Sequence, residues 1–139
     1  MAAVRYIVAD IQKSVGFYRD VLGFDVKMEG EGFAALSRDD LTLYLNVPGA
    51  GSAGKAGGNP EPGGWSRFQI VTGNLDDFIA KLKSRNAAFR GDIVEAPAGR
   101  QILLEDPSGN VIELFEHAKQ RSGADRDEGA RARSENAEA

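Results

Sequence analysis

Polar side chains recur at alternate positions of several short apolar runs, and these are where the chain could do chemistry. Arg67 and Gln69 alternate with Phe68 and Ile70, Thr42, Tyr44 and Asn46 alternate with Leu41, Leu43 and Leu45, and Glu113 stands between Ile112 and Leu114. Successive side chains of an extended chain take opposite faces, so each run offers one apolar face for a core and one polar face. With Arg5 on the first run, the polar faces supply two guanidinium groups, a carboxylate, amides and hydroxyls. Arginine forks bind anionic oxygens through charge-assisted hydrogen bonds, and a carboxylate can serve as a general acid or base. Two plainer readings stand beside this. Glu113 simply faces water on a half-covered sheet, or Arg67 and Glu113 form a structural ion pair.

Composition narrows the chemistry further. The chain has 139 residues, no Cys and one His, His117. Thiol nucleophiles, disulfides and zinc–thiolate sites are therefore excluded, and imidazole is scarce. A net charge of −4 with no basic stripe argues against a nucleic-acid partner. No apolar run approaches the ~20 residues that span a bilayer. The N-terminal residues enter a strand pattern at once, so no membrane partner and a cytoplasmic location are expected.

The elements that must position these side chains come in two similar sets. Val4–Ala9 reads as a strand, and Asp10 caps a helix over Ile11–Leu22 that Gly23 stops. Strands follow at Phe24–Met28, Gly32–Leu36 and Leu41–Asn46. Residues 47–64 are different: ten of these 18 are Gly or Pro, the composition of a lid or a connection. They include a literal G-x-G-x-x-G from Gly49 to Gly54, but Lys55–Pro60 cannot open the helix a phosphate site requires, and that role is set aside. The pattern then returns, with a strand at Arg67–Val71, a helix capped by Asn74 and stopped near Asn86, and a strand at Phe89–Val94. A hairpin closes it, Arg100–Glu105 and Val111–Phe115 about the turn Asp106-Pro107-Ser108-Gly109-Asn110. The domain is thus expected to be 1–117, as module one at 1–46, a connection at 47–64 and module two at 65–117. Residues 118–139 hold no apolar residue larger than Ala and are expected to be a disordered charged tail.

The stretch Asp10-Ile11, Ser14, Phe17–Phe24, together with Glu105–Leu114, resembles the vicinal oxygen chelate superfamily. That group includes glyoxalase I, fosfomycin-resistance enzymes, extradiol dioxygenases and bleomycin-binding proteins. The resemblance runs from about Ala3 to His117. It implies an α+β fold of two βαβββ modules, the glyoxalase/bleomycin-resistance fold, whose mixed curled sheets form a half-open barrel cleft. It also implies a homodimer.

Family metal sites take one inward side chain from the first and last strand of each module. By register these positions hold Ala3, Tyr44, Arg67 and Glu113, of which only Glu113 is a usual donor. A divalent ion needs about three donors, so no metal or other cofactor is expected. The reading is therefore a small-molecule-binding cleft that has lost most metal ligands. Its ligand is anionic or aromatic and is held by Arg5, Phe33, Tyr44, Asn46, Trp65, Arg67, Gln69, Arg100, Glu113 and Phe115. The alternatives are a glyoxalase- or dioxygenase-like enzyme (lyase, isomerase or oxidoreductase) using Glu113 as its catalytic residue with atypical metal ligands, and a structural or regulatory module.

Overall fold

The computed structural model describes residues 2–118; the expectation for the charged tail falls almost wholly outside them. Eight strands and two α-helices follow in the order β1 (Ala3–Ile7), α1 (Ile11–Gly16), β2 (Asp25–Glu29), β3 (Phe33–Arg38), β4 (Leu41–Asn46), β5 (Phe68–Val71), α2 (Leu75–Ser84), β6 (Ala88–Ala96), β7 (Gly99–Glu105) and β8 (Val111–His117). They make two four-stranded sheets with the same layout, β1-β4-β3-β2 and β5-β8-β7-β6. In the first sheet β1 runs parallel to β4 and the other pairs are antiparallel. This is the repeated βαβββ order, and the fold is α+β.

The expected signals set the helix ends. Asp10 Oδ1 accepts a hydrogen bond from Lys13 N at 3.0 Å, and Asn74 Oδ1 accepts one from Asp77 N at 3.1 Å. These side chains satisfy amide groups that have no intrahelical partner. Gly23 and Asn86 leave their helices with φ of 78° and 64°. The first helix departs from expectation: α geometry ends at Gly16, and Phe17–Val21 form a π turn. The Leu22 amide reaches back five residues to the Phe17 carbonyl, and the Phe24 amide bonds the Tyr18 carbonyl. Within this wider turn the fully buried Tyr18 ring packs edge-on against both Phe17 and Phe24.

The chain divides into two compact units, 2–68 with Glu105–Val111, and Gln69–Leu104 with 112–118. The division differs from the sequence modules because the turn of the last hairpin belongs to the first unit. There the Asp106 carboxylate is buried and accepts four hydrogen bonds. They come from Tyr18 Oη at 2.9 Å, Ser108 N at 2.8 Å, Asn110 N at 2.9 Å and Asn110 Nδ2 at 3.0 Å. Asn110 Nδ2 also donates to the Ile7 carbonyl, and Asn110 Oδ1 accepts from Gly63 N.

Buried in the first unit are Tyr6, Val8, Ile11, Val15, Leu36, Leu43, Leu45 and Phe68, among others. In the second unit Leu75, Ile79 and Leu82 on α2 are buried together with Ile102, Leu104, Ile112 and Leu114 on the strands. Each sheet thus gives its alternate apolar positions to a core. The other face carries Thr42, Tyr44 and Asn46 in the first sheet, and Gln69 and Glu113 in the second.

Candidate functional site

In the first unit, strand register arranges the polar face of β1-β4-β3-β2 as a grid, because directly paired residues share a face. One row is Ala3–Thr42–Ser37–Asp25, the next Arg5–Tyr44–Ala35–Met28, and the third Ile7–Asn46–Phe33. The Arg5 guanidinium lies over the Tyr44 ring, 5.2 Å from its centroid, and the Phe33 and Tyr44 rings are 5.7 Å apart. Asn46, 2% exposed, organises this corner. Its Oδ1 accepts from Arg5 Nη1 at 2.9 Å, and its Nδ2 donates to the carbonyls of Val47 at 3.1 Å and Ala50 at 2.9 Å. One buried amide therefore fixes both the arginine and the first turn of the Gly/Pro-rich connection. Gly32 lets that turn come close, since a Cβ there would meet Val47 and Ala50 at 3.3 and 3.4 Å.

Met28 was invisible in the sequence pattern. Val26 pairs with Leu36 but Met28, not Lys27, pairs with Ala35, so the register slips by one residue within β2. Bulges of this kind re-aim side chains, and here one brings an exposed thioether onto the rung of Arg5 and Tyr44.

Trp65 and Arg67 precede β5, and both are exposed, Trp65 by 64%. Trp65 is thus not a core residue. Its carbonyl accepts a hydrogen bond from Arg67 Nη1 at 3.2 Å.

In the second unit, Gln69 Nε2 donates to Glu113 Oε2 at 2.8 Å across β5 and β8. Phe115 is buried, with the His117 ring edge-on to it at 4.9 Å. Arg100 is placed otherwise than a ligand-binding role requires. It donates to Glu116 Oε1, with Nη2 at 2.7 Å, and to Asp76 Oδ2 of α2 at 3.1 Å. It therefore belongs to the helix-facing side of its sheet, the side of Ile102 and Leu104, and its charge is matched by two carboxylates. The hydrogen bonds to Glu116 and then Asp76 hold its protonated form still more firmly. Gln69 and Glu113 occupy the opposite side. Arg100, Asp76 and Glu116 border an open hollow of about 500 Å³ in this unit.

Nor do the residues at the metal positions fit a divalent ion. Ala3 has no donor atom, Arg67 is a cation engaged with a carbonyl, and Tyr44 offers a phenol beneath a guanidinium. Glu113 is the one carboxylate. Among the described residues no group of three His, Asp or Glu could hold a metal ion.

The sequence profile described as the Glyoxalase/Bleomycin resistance protein/Dioxygenase superfamily matches residues 1–114. The chain belongs to this superfamily. A bleomycin resistance protein of Geobacillus stearothermophilus is 25% identical over 122 residues, 81% of this chain and 92% of that protein. TnmS3, an antibiotic binding protein from Streptomyces sp. CB03234, is 28% identical, with a TM-score of 0.67 over 84% of this chain and 93% of its own. The bleomycin-binding protein of Streptomyces verticillus, solved with copper(II)-bleomycin, shares the fold at 21% identity, with a TM-score of 0.62 over 84% of this chain and 95% of that one. The glyoxalase/bleomycin-resistance fold is common to all of these. No helix among the described residues is long and apolar enough to cross a membrane.

Proposed function

We propose that this member of the superfamily binds a small anionic organic molecule and needs no resident metal to do so. The observation that carries the reading is Arg5. It is exposed, it makes no ion pair among the described residues, and one of its five N–H groups is bonded to a buried amide that fixes the guanidinium on an aromatic ring. A preoriented fork with open donors suits a carboxylate or similar oxyanion. Two further observations support the reading: the unsuitable donor chemistry at the metal positions, and the kinship with proteins described as binding or resisting antibiotics. Arg67 and Trp65, in the same unit and exposed, are further polar and aromatic groups offered to the ligand.

A thermal-shift screen of small anionic aromatics tests this, run on protein dialysed against chelator. Hits should include acids, and Arg5→Gln should weaken them while the apo melting curve is kept. Binding of cationic compounds alone would contradict the reading.

A second reading is catalytic, with Glu113 as acid or base and Gln69 fixing one of its oxygens. It gains from a local match, 44% identical over 43 residues, to the metallothiol transferase FosB of Staphylococcus epidermidis, which covers 31% of each chain. Turnover of an added metal–thiol–substrate mixture that is lost in Glu113→Gln would favour it.

A further inference from the structure

We propose that the rung Met28–Ala35–Tyr44–Arg5 is a subsite for planar aryl carboxylates, and that Asn46 is its positioning residue. The proposal rests on the anion-binding reading above and names the ligand class and the floor on which the ligand lies. Register places the four residues side by side on one face, from one edge of the sheet to the other. Neighbouring strands are about 4.8 Å apart, so Ala35 lies roughly one strand spacing beyond the Tyr44 ring and Met28 one further. Ala35 is the one small residue between two large ones, and this leaves a recess floored by a methyl group and walled by Tyr44 and Met28. Phe33, 5.7 Å from Tyr44, closes one side. A flat ring fits such a recess better than a branched aliphatic group, because it can lie on the sheet and meet the Tyr44 and Phe33 rings in offset or edge-on contact. The thioether of Met28 adapts to the ring edge.

The charge is at one end only. Arg5 supplies the rung's cation, and the one acidic residue of the grid, Asp25, is a row away and at the opposite edge of the sheet. A ligand in the recess therefore places its anion toward Tyr44 and Arg5. Asn46 engages Nη1 alone, which leaves the Nε and Nη2 pair to receive a carboxylate edge-on. The same amide bonds the Val47 and Ala50 carbonyls, so the cation and the connection's first turn are held as one piece.

Isothermal titration with 2-naphthoate, and with 2-naphthylmethanol as its neutral counterpart, tests the proposal. The wild type should prefer the acid by about tenfold or more, the scale of a charge-assisted pair. Arg5→Gln should reduce that preference to near unity while the alcohol binds as before. Asn46→Asp keeps an acceptor for Arg5 but neutralises it, and should also remove the preference. Ala35→Leu should fill the recess and weaken both compounds. An unchanged preference in Arg5→Gln, or wild-type affinity in Ala35→Leu, overturns the proposal. If the broader screen yields acids that need Arg5 but bind independently of Ala35, this subsite fails while the anion-binding reading stands. If no acid binds at all, the broader reading fails.

Discussion

Replacing Tyr18 by Phe should cost about 2 kcal/mol, although nothing but one oxygen is removed. The Tyr18 ring is fully buried, and its hydroxyl donates to Asp106, itself 4% exposed. A hydrogen bond to a charged acceptor contributes roughly 1.5–3 kcal/mol, and its loss leaves a buried carboxylate oxygen short of one donor. For a domain of this size that is a fall in Tm of about 5–10 °C. Asp106→Ala removes the acceptor from four donors at once. The half-buried Ser108 amide can find water, but the Tyr18 hydroxyl and the Asn110 groups cannot readily do so, and about 4 kcal/mol should be lost. Urea unfolding of both single variants and the double variant gives a double-mutant cycle. The double variant should be little worse than Asp106→Ala, with a coupling of about 1.5–2 kcal/mol. A Tyr18→Phe loss below about 0.5 kcal/mol, or strict additivity, would refute the view that the π turn and the hairpin turn are locked through this carboxylate.

Alkaline unfolding offers a second check. Burial pushes the Tyr6 hydroxyl up to about 12, and burial with the neighbouring Asp106 raises Tyr18 well above the ordinary phenol range. The folded chain keeps protons that the unfolded chain releases from about pH 10, so stability should hold below pH 10 and fall as pH climbs toward 12. Tyr6→Phe should make that fall shallower in denaturant titrations across this window. Gly99→Ala should cost about 3 kcal/mol or more, because a Cβ there would collide with the Glu116 carbonyl and lie 2.9 Å from the Phe115 ring; a wild-type melting curve would show that β7 can move aside. β2 and β6 are edge strands carrying the exposed Met28 and Val94, and such edges are commonly covered. Light scattering should therefore give a homodimer rather than the 14.9 kDa of one chain.

Regular alternation made much of this molecule legible from sequence. Leu43 and Leu45 are fully buried and Tyr44 is not, and Ile112 and Leu114 likewise face the core while Glu113 remains on the other side. The caps at Asp10 and Asn74 were readable because they rest on local side-chain chemistry. What escaped depended on contacts distant in sequence. Nothing near Gly16 announces a π turn, and the acceptor that Tyr18 of that turn bonds lies 88 residues further on. Arg100 looked like a free cation because alternation gives a strand two faces without saying which one meets a helix, and Asp76 comes from that helix. Met28 reaches the Arg5 rung through a register slip that no periodicity records. The turn Asp106–Asn110, the most recognisable stretch of the chain, serves structure, since its side chains are spent on Tyr18, Ile7 and Gly63.

The central claim is anion binding without a resident metal. Its most direct test is titration of the chelator-dialysed protein with the best acid from the screen, followed by the same titration after divalent ions are restored. The account predicts saturable one-site binding with the same Kd in both, and a Kd that rises with salt as an exposed guanidinium–carboxylate contact should. Binding that appears only when a divalent ion is added back would contradict it.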